Sequence, residues 1–181
     1  MRAAWIVLAL ALLSMQVNAE IEKTAMTCGS KICFYWWPKV PAVKGWRQDR
    51  DKSYEMGANV LVPVGSSFTA AETVMYVKAL YKPRMPDIAS VDALIEDDKK
   101  KFLDSRPGMK VVESKTLATA DGKVLRSFEY IPDQQGDWEQ VSYGEEGDFY
   151  LIFTISSRTK TGYGKTISVY EKLIESYREK P

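Results

Sequence analysis

The nine residues from Phe149 to Ser157, FYLIFTISS, constrain this chain more than any other stretch. Phe149, Leu151, Phe153 and Ile155 point one way, and Tyr150, Ile152 and Thr154 the other. Apolar side chains on both faces suit a central strand covered on both sides. The segment from Thr166 to Tyr177 repeats at the helical period instead. Ile167, Tyr170, Leu173, Ile174 and Tyr177 form one stripe, opposite Glu171, Lys172, Glu175 and Arg178. That stripe has to be buried, and a sheet built on the strand is where it can go. Most of the remaining chain reads as material that completes the sheet.

The N-terminus predicts export. Arg2 precedes an apolar run from Trp5 to Leu13, followed by Val17-Asn18-Ala19. A basic start, a short apolar core and small residues before a cleavage point make a secretory signal peptide over residues 1–19. The run is too short to span a bilayer, which needs about 20 apolar residues. The expected location is therefore periplasmic or secreted, with no membrane span after cleavage. The chain carries 25 basic and 24 acidic residues, and removing the signal takes away only Arg2. A mature chain without net charge has no global field to draw nucleic acid, so no nucleic-acid partner is expected.

The only cysteines, Cys28 and Cys33, stand in CGSKIC. In an oxidising compartment two nearby cysteines form a local disulfide. Four residues intervene, unlike the C-x-x-C of redox enzymes. Two thiols and no histidine do not make a zinc site, and no cofactor is expected.

Three parts follow: the signal, an N-terminal segment over residues 20–53, and one α+β domain over residues 54–181. In the segment, residues 20–33 read as a tail, and Phe34-Tyr35-Trp36-Trp37 as an aromatic strand or extended arm stopped by Pro38 and Pro41. Tyr35, Trp36, Trp37 and Trp46 are either packed on the sheet or exposed as a platform for a partner. Asp49 to Ser53 reads as a charged loop.

Ala58–Val64 and Val74–Tyr81 read as strands, with Pro63 marking an edge or a strand end. Between them Thr69 is placed to cap a helical turn. Ser90 caps a helix that buries Val91, Leu94, Ile95 and Phe102. Lys110–Ala118, Val124–Ile131, Trp138–Tyr143 and the central strand follow, separated by short turns that include Asp121-Gly122. Such turns imply an antiparallel meander. The whole is an α+β fold, an antiparallel sheet that is mostly a meander with helices packed on it.

Candidate chemistry is sparse. Thr159–Thr166, TKTGYGKT, ends like a phosphate-binding loop but has Thr159 where that loop needs its first glycine. It reads as a loop leading to a helix capped by Thr166. Glu145, Glu146 and Asp148 surround a turn without the spacing of a calcium loop. Without histidine, acid–base work would rest on carboxylates, lysines or tyrosines, and no nucleophile, base and orienting group can be named together. The protein is expected not to be an enzyme.

The element order, and the closing strand leading into the amphipathic helix that ends Tyr170-Glu171-Lys172-Leu173-Ile174-Glu175-Ser176-Tyr177, resemble the Mog1/PsbP-like fold, which includes small exported bacterial proteins of the DcrB type. The resemblance covers residues 54–178 and implies a non-enzymatic binding or assembly factor of the bacterial envelope that works through a protein partner. An inhibitor or immunity protein that blocks a secreted enzyme is the alternative it leaves open. A carboxylate- or tyrosine-dependent enzyme is the third possibility.

Overall fold

The computed structural model describes residues 21–133 and 136–179. The signal segment at 1–19 lies outside the described residues. Ten strands form the sheet: β1 Ile21–Cys28, β2 Lys31–Pro38, β3 Trp46–Gln48, β4 Asn59–Pro63, β5 Thr73–Tyr81, β6 Lys110–Glu113, β7 Leu117–Ala118, β8 Val124–Ile131, β9 Trp138–Glu146 and β10 Phe149–Ser157. The helices are α1 Arg50–Met56, α2 Val91–Ser105 and α3 Lys160–Ser176, with a short 3-10 turn at Lys82–Arg84. The main strand order is β1-β2-β5-β10-β9-β8-β6, with β3 and β4 beside β5 and β7 beside β8. Every pairing is antiparallel, and β6 through β10 form the meander read from the turns.

β10 is central, laddered over its whole length to β5 and β9. Its two faces separate as the alternation requires. Leu151, Phe153 and Ile155 pack with Met75 and Val77 under Tyr170, Leu173 and Ile174 of α3 and Tyr177 just past its end. Tyr150 and Ile152 pack on the opposite face with Tyr143, Phe128 and the Leu94 and Ile95 side chains of α2. Fully burying such side chains contributes about 1.5–3 kcal/mol each, and these two layers hold the domain together. Gly144 of β9 lets α3's layer close up: a Cβ there would stand 2.1 Å from Leu125 Cδ2.

Several segments differ from the sequence reading. Residues 21–33 join the aromatic strand in a β-hairpin rather than forming a tail, because Gly29 at φ 62° supplies the tight turn and β1, of weak apolar character, pairs along β2. Residues 50–56 form a helix rather than a charged loop. Asp49 caps it by accepting from Lys52 N at 3.2 Å, and Gly57 ends it in the left-handed region. The turn at 67–71 is capped by Ser67, whose Oγ accepts from Ala70 N, and not by Thr69.

α3 begins six residues before Thr166. Its cap is Thr159, whose Oγ1 accepts from Gly162 N at 2.9 Å and donates to Glu72 Oε1 at 2.5 Å. A carboxylate therefore occupies the positive end of this helix, where a phosphate-binding loop would hold its anion. Gly162 is required by close approach to Glu72 and Ser157 rather than by a ligand. β9 likewise runs past Tyr143 to Glu146, so Gly144 and Glu145 belong to the strand and Gly147 makes the turn.

Candidate functional site

β2 and β4 approach the same edge of β5. β4 pairs at Val77, Tyr76 and Met75, while β2 pairs at a single position, Trp36 with Ala79. The two strands therefore run end to end, and side chains fill the breaks in the ladder. Asn59 Nδ2 donates to the Pro38 carbonyl at 3.1 Å. Arg84 Nη1 donates to the Phe34 carbonyl at 3.4 Å, and its guanidinium lies 4.5 Å from the centroid of Trp36. Beyond Trp36 the hairpin pairs only with itself, so its turn end projects from the body as an arm. Cys28 and Cys33 lie at disulfide distance across that end, with Cα atoms 5.8 Å apart.

The four aromatic residues singled out from the sequence do not share one surface. Trp36 lies with the layer under α3, stacked on Tyr81 at 5.1 Å and tilted against Phe149 at 6.1 Å. Trp46 packs against that same layer from β3. Strand alternation sends Tyr35 and Trp37 the other way. Trp37 meets Tyr54 of α1 at 5.0 Å, and the Tyr35 ring covers Gly57, where a Cβ would clash at 2.2 Å. The exposed apolar side chains of the arm are instead Ile32, 69 % exposed, and Phe34, 37 %.

Where the β1–β2 pair meets the β3–β4 pair, a cleft of about 600 Å³ opens between the arm and α1. Trp37, Asn59, Tyr54 and Gln48 line it, with Arg50 and the Glu22–Lys39 pair among its charged groups. A second groove of about 310 Å³ lies beside β2, lined by Tyr35, Trp36, Met56, Leu80, Tyr81 and Met85 among others.

A separate polar cluster sits within the sheet. Glu139 is 6 % exposed, and its Oε1 accepts from Ser156 Oγ at 2.9 Å while Oε2 has no partner among the described residues. Burial pushes its carboxyl up to about 7, against the partial relief of the Ser156 hydrogen bond. Nearby, Tyr143 donates to Asp98 Oδ2 at 2.7 Å and shares a hydrogen bond with Tyr130 at 3.0 Å. Burial, with the Asp98 charge beside it, raises the Tyr143 hydroxyl far above its usual range.

The acidic turn read from the sequence is dispersed. Glu145 pairs with Lys82 at 2.5 Å, and Glu146 is buried against the Tyr177 hydroxyl at 2.6 Å. Among the described residues no three His, Cys, Asp or Glu side chains converge to hold a metal ion. Asn59, Arg84 and Glu139 were missed by sequence reasoning. Glu139 had a signal: it shares strand parity with Val141 and Tyr143, so a carboxylate stood on an inward face.

The sheet, its meander and the helices packed on it define an α+β fold. No protein-family model matches the chain, and no curated protein matches it. Among solved structures it is similar to the Pseudomonas aeruginosa protein of unknown function PA94, at TM-score 0.51 and 12 % identity over 88 % of this chain and 98 % of that one. It is also similar to cyanobacterial PsbP (CyanoP) from Synechocystis sp. PCC 6803, at TM-score 0.48 and 16 % identity over 79 % and 84 % of the two chains. The Saccharomyces cerevisiae Ran-binding protein Mog1p follows at 0.43 and 11 %, over 86 % and 90 %. The likeness is one of fold and carries no activity or partner across. Among the described residues, no helix is long and apolar enough to cross a membrane.

Proposed function

We propose that this is an exported, non-enzymatic binding or assembly protein of the bacterial envelope, acting in the periplasm or outside the cell through a protein partner. The observation that carries the reading is the arm. A two-stranded hairpin is marginal by itself, yet this one projects beyond its single ladder link, presents Ile32 and Phe34 to solvent, and has its cysteines placed to clamp the far end. Exposed apolar side chains on a projecting hairpin are the features of a contact surface. The signal sequence and the cysteine pair support export.

The test is crosslinking from Ile32. A photoreactive residue at that position should yield one discrete adduct in envelope fractions, and Phe34→Ser should abolish it while the thermal midpoint stays within a few degrees. Adducts that are equally abundant with Phe34→Ser, or absent altogether, would remove the arm as the contact.

A further inference from the structure

The sheet face that lies under α3 continues past the end of that helix. Ile32, Phe34 and Trp36 alternate onto this face of the arm, and Trp36 joins the layer beneath α3 through Tyr81 and Phe149. Ile32 and Phe34 carry the apolar stripe outward into solvent. The end of α3 stands beside the near end of the stripe: Tyr177 bonds to Glu146, whose ladder partner Phe149 touches Trp36. The arm's face is therefore a floor with the end of α3 as a wall.

Two cations border this floor. Lys23 stands opposite Trp36 in the β1–β2 register and so shares its face. Its ammonium lies 4.4 Å from the centroid of the Phe34 ring. Arg84 comes from the other side, beyond β5, with its guanidinium 4.5 Å from the centroid of Trp36 and an N–H on the Phe34 carbonyl. Both residues are exposed, and neither makes an ion pair among the described residues. Neighbouring carboxylates do not balance them. Glu22 is on the opposite face with Trp37 and is set against Lys39, Glu145 is held by Lys82, and Asp148 in the adjacent turn pairs with neither cation.

We infer that the arm's face receives an amphipathic helix of the protein partner, with carboxylates on both flanks of its apolar stripe, one set against Lys23 and the other against Arg84. The inference rests on the reading of the arm as the contact surface and names the chemistry of what it contacts. A helix laid on an uncovered sheet face completes the layer that α3 begins. From Ile32 to Trp36 the strand spans about 13 Å, which matches about two and a half turns of helix. Carboxylates facing the two cations fix register and favour the right partner. A lipid bilayer fits less well, because α3, about 10 Å across, rises on the same face and holds a flat surface off the floor. A second copy of this chain fits less well too, since a two-fold contact would gather two Lys23 and two Arg84 side chains in one interface.

The test uses the purified protein and two fluorescein-labelled amphipathic peptides of about 18 residues, long enough to form a helix alone. Both carry the same leucine stripe, flanked by glutamates in one and by lysines in the other. Saturable binding of the glutamate peptide is expected by anisotropy, with the lysine peptide weaker by about tenfold or more. Phe34→Ser should abolish binding. Lys23→Glu and Arg84→Glu should each weaken the glutamate peptide about tenfold, and the double variant should prefer the lysine peptide. That reversed preference also shows that the arm is still in place without the Arg84 hydrogen bond.

Binding of neither peptide, equal binding of both by the wild type, or an unreversed preference in the double variant would overturn the inference. So would Phe34-dependent binding to phosphatidylglycerol vesicles, or Phe34-dependent dimerisation in sedimentation, without binding of the glutamate peptide. The Ile32 crosslink separates the two readings. An adduct of equal yield from the wild type and the double variant leaves the arm as the contact and ends this inference, whereas no adduct from either ends both.

Discussion

Asn59 donates to the main-chain carbonyl of Pro38 at 3.1 Å and so joins two strands that share no ladder. Replacing it by alanine removes this link and leaves the Pro38 carbonyl unpaired. Loss of a buried hydrogen bond of this kind costs about 1–3 kcal/mol. Asn59→Ala should lower the urea midpoint accordingly, and amide exchange at Trp36 and Ala79, the one ladder position between arm and body, should accelerate more than exchange within β10.

Glu139 makes stability depend on pH. Its folded-state value, about 7, stands above the ordinary 4.5, so the native state holds this proton more tightly than the unfolded chain does. The favourable contribution is complete below about pH 4.5 and is lost as pH rises through about 7. The loss is about 3 kcal/mol at most. Glu146, also raised by burial, acts in the same direction. Glu139→Gln should flatten the profile of unfolding free energy between pH 5 and 8 and should gain most at the alkaline end. A profile as steep as that of the wild type would assign the dependence elsewhere.

Gly144 and Leu125 are a matched pair. A Cβ at 144 meets Leu125 Cδ2 at 2.1 Å, and overpacking of this kind costs about 1–3 kcal/mol. Gly144→Ala alone should destabilise by that amount. Combined with Leu125→Val it should destabilise by less than the sum of the two single changes, and a double-mutant cycle measured by chemical unfolding reads the coupling directly.

Tyr170 is fully buried; its hydroxyl donates to the Phe153 carbonyl at 3.0 Å and shares a second hydrogen bond with Ser142 Oγ at 2.8 Å. Tyr170→Phe keeps the ring and removes the hydroxyl. It should cost about 1–2 kcal/mol in thermal unfolding, with no change in the far-ultraviolet circular dichroism.

Closing a six-residue loop through Cys28 and Cys33 stabilises by about 2 kcal/mol in the chain-entropy account. Replacing both by serine should leave the unfolding of the sheet nearly unchanged while speeding amide exchange in residues 26–33, because that part of the hairpin pairs with nothing else. A large fall in the global midpoint would mean that the arm contributes to the core.

The two-layer body was legible because its residues repeat at one period each. FYLIFTISS alternates, the 167–177 stripe follows 3.6, and Ser90 announces α2. The arm's first strand was not legible, since IEKTAMTC lacks any apolar face and owes its strand to pairing with Lys31–Pro38. The first turn of α3 hid behind Gly162 and Gly164, poor helix formers whose cost is offset by a cap shared with Glu72, 87 residues away. Asn59 and Arg84 draw their importance from where two separate strands end. Nothing local to their own segments signals it.

An edge of β5 matched by two short strands in tandem, rather than by one long strand, separates what is invariant from what can vary. Residues 59–63 keep register with the core whatever happens at 31–38. The part of the hairpin between Trp36 and its turn can therefore be lengthened or resequenced while Trp36 keeps its place beneath α3, and a lineage could retarget such a protein by rewriting fewer than twenty codons.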